Sequence, residues 1–179
     1  MKKSIVLLLV VSLFLISAAV SDSIKSNNMN GMLDNHKMTQ VGFIVSDIEK
    51  SATTWAEFLG VDVPDAVIAE GHHMNPTTYR GKPSDAKAKL AFFQLENITI
   101  ELIEPLGENS TWKEFLDGEG EKVHHIAFEV NEMDETVKKF KKFDIPMIQH
   151  GGWDGGEYGY MDGTEKLGVV VELLQHYNR

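Results

Sequence analysis

Two stretches of the chain, QVGFIVSDIE (40–49) and HIAFEVNEMD (125–134), run in step, with Gly42 over Ala127, Phe43 over Phe128 and Val45 over Val130. A second pair, ITIELIE (98–104) and VVVELLQ (169–175), aligns in the same order along the chain. Either match alone is weak. Two matches in the same order indicate a duplicated strand-helix-strands unit, whose halves need each other to bury their apolar faces.

Each half reads the same way at higher detail. MTQVGFIV is an apolar, β-branched strand beginning at Met38, and the segment after it is helical, with Ile48, Ala52, Trp55, Phe58 and Leu59 at helical spacing. Ser46 followed by Glu49 has the form of a capping box, and Gly60 stands where that helix should stop. KLAFFQL and ITIELIEP flank a turn at Glu96 and Asn97 and read as a hairpin. In the second half, VHHIAFEV is a strand, NEMDETVKKFKKF a helix opening at Asn131, and LGVVVELLQ a closing strand.

The repeat registers polar groups as well as apolar ones. Gln40 overlies His125, and Glu101 overlies Glu172. Both glutamates interrupt runs of Ile, Val and Leu, where an unpaired carboxylate is costly. Singly, a strand histidine is usually a packed residue, a carboxylate at a strand end is usually solvated, and a glutamine is seldom a ligand. Jointly, an imidazole, two carboxylates and an amide oxygen at paired equivalent positions suit a divalent ion such as Zn, Ni, Co, Mn or Fe(II). Alternation along the strand sends His124 to the face opposite His125, which makes it structural.

The chain has 17 Lys and Arg against 27 Asp and Glu, a net charge of −10, with no basic cluster, so a nucleic-acid partner is not expected. The segment 1–21 carries two lysines, an apolar run from Ile5 to Ile16 and small residues up to Ser21, the layout of a secretory signal peptide. A secreted or periplasmic location follows from that reading, with an uncleaved membrane anchor as the alternative. Any membrane contact is expected through this segment alone. Residues 22–37 read as a flexible leader. The absence of cysteine excludes disulfides and a lipid-modified cysteine.

The pieces HHIAF (124–128) and ELIEP (101–105), within the stretch 101–135, resemble methylmalonyl-CoA epimerases of the vicinal oxygen chelate superfamily, which also holds glyoxalase I, extradiol dioxygenases and bleomycin-resistance proteins. The resemblance covers about 38–176. It implies an α+β fold in which two βαβββ modules, 38–106 and 122–176, form a cupped mixed sheet around one divalent metal ion (Zn, Ni, Co or Mn). It carries the ligand positions over to Gln40, Glu101, His125 and Glu172. Epimerases of this family usually have a histidine at the first position, so the Gln-Glu-His-Glu set is more similar to that of a glyoxalase I. With a single histidine in the set, the two-histidine iron site of an extradiol dioxygenase is disfavoured.

What the resemblance implies chemically is a lyase or isomerase acting on a small carbonyl substrate. The metal holds vicinal substrate oxygens, an enediolate is stabilised, and Glu172, with Glu101 on the opposite face, moves the proton beside the carbonyl. The alternatives are a non-catalytic binder similar to bleomycin-resistance proteins and, least favoured, a ring-cleaving oxygenase. Pairing of the modules within one chain or across a homodimer is left open.

Two further segments are candidates for the site. The long polar loop 70–85 offers His72, His73, Tyr79 and Arg80 as contacts for an anionic substrate, with plain solvent exposure as the competing reading. The glycine-dense GGWDGGEYGY (151–160) lacks the spacing of a phosphate loop and places Trp153 and Tyr158 near the cup. Trp112 and Phe115 read as packing residues. Asn97 and Asn109 stand in glycosylation sequons.

Overall fold

A computed structural model describes residues 31–177. The proposed signal segment and most of the leader lie outside the described residues. Ten strands form one mixed sheet: β1 (Met38–Ile44), β2 (Val67–Ala69), β3 (Thr78–Tyr79), β4 (Lys82–Pro83), β5 (Ala88–Gln94), β6 (Thr99–Pro105), β7 (Lys122–Glu129), β8 (Met147–Trp153), β9 (Gly156–Met161) and β10 (Val170–His176). The helices are α1 (Ile48–Leu59), α2 (Thr111–Glu119), α3 (Met133–Lys142) and the single turn α4 (Thr164–Leu167). Among the described residues no helix is long and apolar enough to cross a membrane.

The sheet order is β2-β5-β6-β1-β7-β10-β9-β8-β3-β4. Module one supplies β2-β5-β6-β1, and module two supplies its counterpart, β7-β10-β9-β8. The two meet where β1 runs antiparallel to β7, so the modules pair within one chain. Inside each module the opening strand lies parallel to the closing one, β1 with β6 and β7 with β10. The repeat is visible in the register itself, because Gln40 pairs with Ala127 and Gly42 with His125. Exchanging the modules converts one pair into the other.

Each outer face is covered by its module's helix. Val45, Ile48, Ala52, Ala56, Phe93 and Leu102 form the cluster under α1, and Val137, Phe140, Ile145 and Leu173 are part of the one under α3. Side chains such as Ile48, Leu102, Phe140 and Leu173 are fully buried, each contributing about 1.5–3 kcal/mol by transfer from water. The inner face is closed by α2, whose Trp112 packs with Ile44, Ile103, Tyr160 and Val170.

Local details depart from the sequence reading in four places. The N-cap of α1 is Asp47, which accepts from the Lys50 amide at 2.9 Å, and not Ser46. Ser46 is engaged instead by Glu121, whose carboxylate accepts from the Ser46 amide at 2.6 Å. Helix α3 opens after Glu132 rather than at Asn131, and its first-turn Met133 amide donates to Gln175 Oε1 on β10 at 2.6 Å. Met32 and Leu33, from the segment read as a flexible leader, pack against the α3 cluster, and Asn35 donates to the Glu129 carbonyl. The loop 70–85 contains β3 and β4, which extend the far edge of module two through β8. Gly60 ends α1 in the left-handed conformation at φ 71°, as its position predicts.

Candidate metal centre

His125 is held by a glycine. Across the β1–β7 pair it faces Gly42, and its imidazole lies so close over that residue that a Cβ there would stand 2.1 Å from Cε1 and 2.5 Å from Nδ1 and Nε2. The ring's Nε2 comes to 3.1 Å from Glu172 Oε2 and 3.4 Å from Glu101 Oε2. Glu101 sits on β6 beside Gly42, and Glu172 on β10 beside Ala127, so the two carboxylates descend from equivalent ladder positions. All three residues are buried, and one ligand atom of each lies within 4.8 Å of the others.

The converging atoms lie within ion-pair range but make no hydrogen bonds to one another. Glu101 Oε2, His125 Nε2 and Glu172 Oε2 are each buried without a hydrogen-bond partner. Native interiors seldom leave such groups orphaned. Three orphans meeting at one point, with a nitrogen and two carboxylate oxygens, form a donor set that fits a divalent ion. Gln40 is buried one inward-facing position along β1 from Gly42 and lines the same cavity.

Electrostatics follow from this crowding. Burial by itself lowers the His125 pKa, but the Glu172 charge and the two facing carboxylates outweigh it and push the pKa up to about 10. Burial raises the Glu101 carboxyl above its ordinary range, with His125 opposing and Glu172 reinforcing the shift. Both tyrosines of β9 are shifted upward, chiefly by burial: Tyr158 to about 12, Tyr160 well above its usual value.

His124 is not on the opposite face. The β1–β7 register slips between Gly42–His125 and Phe43–Val123, leaving His124 as the extra residue of a β-bulge. The bulge breaks the strand's alternation and turns His124 inward. There it is buried edge-on against Phe115 of α2 and Tyr160 of β9, with ring centroids 5.1 Å away in both cases. Its Nδ1 lies 3.1 Å from His125 Nδ1, so the side of the imidazole away from the carboxylates is also held. Burial, then the neighbouring His125 charge, lowers the His124 pKa well below the ordinary histidine value, so it faces His125 as a neutral ring.

The triad opens into a cavity of about 710 Å3 that Trp112, Trp153, Tyr158 and Tyr160 line together with Glu101 and Glu172. Trp112 therefore both packs and forms wall, its Nε1 donating to the Tyr160 hydroxyl at 3.0 Å. Gln149, fully buried, accepts from the Thr111 amide at 2.8 Å and donates to the Tyr158 hydroxyl at 3.2 Å, tying α2 to the cavity wall. Of the loop residues, His72 lines the cavity, and the exposed His73 packs on it with centroids 4.3 Å apart. Tyr79 and Arg80 are committed elsewhere: both bond to Glu114, the Arg80 pair at 2.7 Å. Gly42, Tyr160 and Gln149 have no sequence signal beyond strand alternation, because their roles arise from which strand lies beside which.

This geometry coincides with a known family. The chain matches the Glyoxalase/Bleomycin resistance protein/Dioxygenase superfamily over residues 39–161. It belongs to that superfamily. It is 28% identical over 143 residues to the mitochondrial methylmalonyl-CoA epimerase of Homo sapiens, covering 78% of this chain and 73% of the relative. It is 33% identical over 94 residues to the uncharacterized protein YqjC of Bacillus subtilis, covering 51% of this chain and 67% of that one. Among solved structures, a hypothetical protein from Bacillus halodurans C-125 superposes with a TM-score of 0.57 at 23% identity, over 80% of this chain and 96% of the other. The methylmalonyl-CoA epimerase of Mycobacterium tuberculosis superposes with 0.54 at 16% identity, over 84% and 95%. At these identities the solved structures establish the shared fold, the cupped mixed sheet of this superfamily.

Proposed function

We propose that this member of the superfamily is an epimerase- or isomerase-type enzyme that moves a proton at a carbon beside a carbonyl, using a divalent ion (Zn, Ni, Co or Mn) held by Gln40, Glu101, His125 and Glu172. The observation that carries the reading is the convergence of three buried, unpartnered ligand atoms at the floor of a cavity. Its epimerase relatives support the reaction class.

When bound, the ion supplies Lewis-acid polarisation of the substrate carbonyl, which acidifies the adjacent C–H. Glu172 removes that proton and Glu101 serves the opposite face of the same carbon. A carboxyl raised by burial, as Glu101 is, is better matched to proton transfer near neutral pH than an exposed one. His125 is fixed from both sides, by Gly42 beneath the ring and by His124 at Nδ1, so it orients and does not travel. Trp112, Tyr158 and Tyr160 keep bulk water from the reacting carbon, which preserves a charge-sensitive site. Return of the proton to the other face gives epimerisation, and return to a neighbouring atom gives isomerisation or, with a thiol adduct, the glyoxalase type of product.

The test has two steps. Elemental analysis of the purified chain is run beside a Glu101→Ala/Glu172→Ala double variant, and the loaded protein is then assayed for deuterium uptake at carbon α to a carbonyl. One equivalent of metal in the wild type, none in the variant, and metal-dependent exchange support the proposal. A wild type that neither retains nor takes up Zn, Ni, Co or Mn removes it and leaves a metal-free binding cup.

A further inference from the structure

The two halves of the cavity wall are equivalent by the repeat and unlike in chemistry. On β5 of module one, Phe92 stands opposite Glu101 and Leu90 opposite Ile103. On β9 of module two, Tyr160 stands opposite Glu172 and Tyr158 opposite Leu174. All four side chains line the cavity. The pseudo-twofold therefore sets two apolar residues across from two phenols, and at these positions only module two carries hydroxyls.

The Tyr160 hydroxyl is claimed by Trp112 Nε1 at 3.0 Å inside the wall. Tyr158 is half-buried and its hydroxyl is held in place. Its ring lies over Gly151, its partner on β8, where a Cβ would stand 2.7 Å from Oη and 2.9 Å from Cζ. Gln149 commits its Oε1 to the Thr111 amide at 2.8 Å and hydroxyl at 3.2 Å, which turns its Nε2 to the Tyr158 oxygen at 3.2 Å. The phenol oxygen therefore accepts from Gln149. Its other polar neighbour is the buried Thr77 hydroxyl, which rotates and donates to it as well once the phenol hydrogen has an acceptor elsewhere. What remains for a cavity ligand is the phenol O–H, two residues along β9 from the level of the Glu172 carboxylate, about 6.8 Å by strand rise.

We infer that Tyr158 is a specificity-determining residue: its hydroxyl donates to a second oxygen of the substrate, beyond the carbonyl at the metal, while the substrate's apolar side rests on Leu90 and Phe92. The inference rests on the proton-transfer reading of this site and names the substrate class which that reading leaves open. That class is a carbonyl compound with an acceptor oxygen on one side and a hydrocarbon surface on the other. Such a molecule enters the twofold cup in one orientation. The orientation decides which face of the reacting carbon meets Glu101, beside Phe92, and which meets Glu172, beside Tyr160.

Two ketones of one shape test it: 5-methoxypentan-2-one, which carries an acceptor oxygen in its chain, and heptan-2-one, in which a methylene replaces that oxygen. The full chain and its Tyr158→Phe variant are loaded to the same zinc content. Affinity is measured by ligand-observed NMR titration, and exchange of the protons beside the carbonyl is followed in D2O against the rate without protein. Tyr158→Phe is expected to weaken the methoxyketone about fivefold or more, the net effect of one hydrogen bond, and to leave heptan-2-one within about twofold. A merely structural disturbance would weaken both probes alike. Equal losses, no loss with either, or neither ketone binding overturns the inference. A loss confined to the methoxyketone without accelerated exchange of either probe keeps the inference and removes the proton-transfer reading. Accelerated exchange without that selective loss removes the inference alone.

Discussion

Replacing Gly42 with alanine adds one methyl group on a strand remote in sequence from Glu101, His125 and Glu172, yet it should empty the metal site. The added Cβ would stand 2.1 Å from His125 Cε1. Non-bonded carbons rest at about 3.5 Å, so the imidazole or the strand must yield by roughly 1.4 Å. The strand has little freedom, since β1 is hydrogen-bonded to β6 on one side and β7 on the other. The ring has little more, with Tyr160 at 5.2 Å and His124 at its far nitrogen. Ligand positions tolerate about 0.2 Å before coordination suffers, so the expected loss in metal affinity is about 100-fold or more. Overpacking costs the metal-free fold about 1–3 kcal/mol at the same time. Competition against a chromogenic chelator reports the affinity, and urea unfolding of the metal-free protein confirms that the variant is folded. Ala127→Gly, at the equivalent place opposite Gln40, is the control and should hold metal within a few-fold of wild type. A folded Gly42→Ala protein with wild-type affinity would refute the argument that this glycine exists to seat the imidazole.

Other expectations follow from the same geometry. His124→Phe keeps a ring against Phe115 and Tyr160 but removes the Nδ1 partner of His125, and metal affinity should fall by about tenfold as for other outer-shell partners; unchanged affinity in the chelator competition would make His124 a packing residue only. In the metal-free protein the His125 pKa is raised from 6.5 to about 10, so the stability it confers is full below pH 6.5 and drains away as pH climbs through 10. Unfolding midpoints between pH 7 and 10.5 should therefore fall for metal-free protein and hold for loaded protein. For the same reason metal uptake at pH 8 should release about one proton from His125, where an ordinary histidine would release almost none, and calorimetry in buffers of different ionisation enthalpy reads that number. Gln149→Ala strands the buried Thr111 amide and frees Tyr158, at an expected cost of about 2–3 kcal/mol in urea unfolding; a cost near zero would show that water replaces the amide.

What the sequence disclosed was whatever the duplication encodes. The equivalence of Glu101 and Glu172 and the closing strand at 170–176 are carried by the alignment of one half on the other, and the hairpin by the strand runs that flank Glu96 and Asn97. What it concealed depends on contacts between the halves. Ser46 looks like a helix cap until Glu121, just ahead of module two, is seen to claim its amide. Asp47 then takes the capping position one residue later. The loop 70–85 looks unstructured because β3 finds its partner in β8 of the other module, and β4 pairs in turn with β3. His124 is the sharpest case. A strict period of two assigns it to the outer face, and the bulge that overrides the period leaves no mark in the residues themselves.

The asymmetries between the modules, and not their likeness, account for the chemistry. A perfect repeat would place the same residue at 40 and 125, and the same one at 42 and 127. Here the chain has histidine opposite glycine at one pair and glutamine opposite alanine at the other. The two differences are linked by volume. An imidazole lying flat over the partner strand admits no Cβ beneath it, whereas the equivalent pair accommodates alanine opposite glutamine. The pseudo-twofold axis thus delivers two like carboxylates to one point while the broken pair delivers a single nitrogen between them. That composition sets the charge of the centre: two carboxylates neutralise a divalent ion, where a second histidine in place of either would leave it positive.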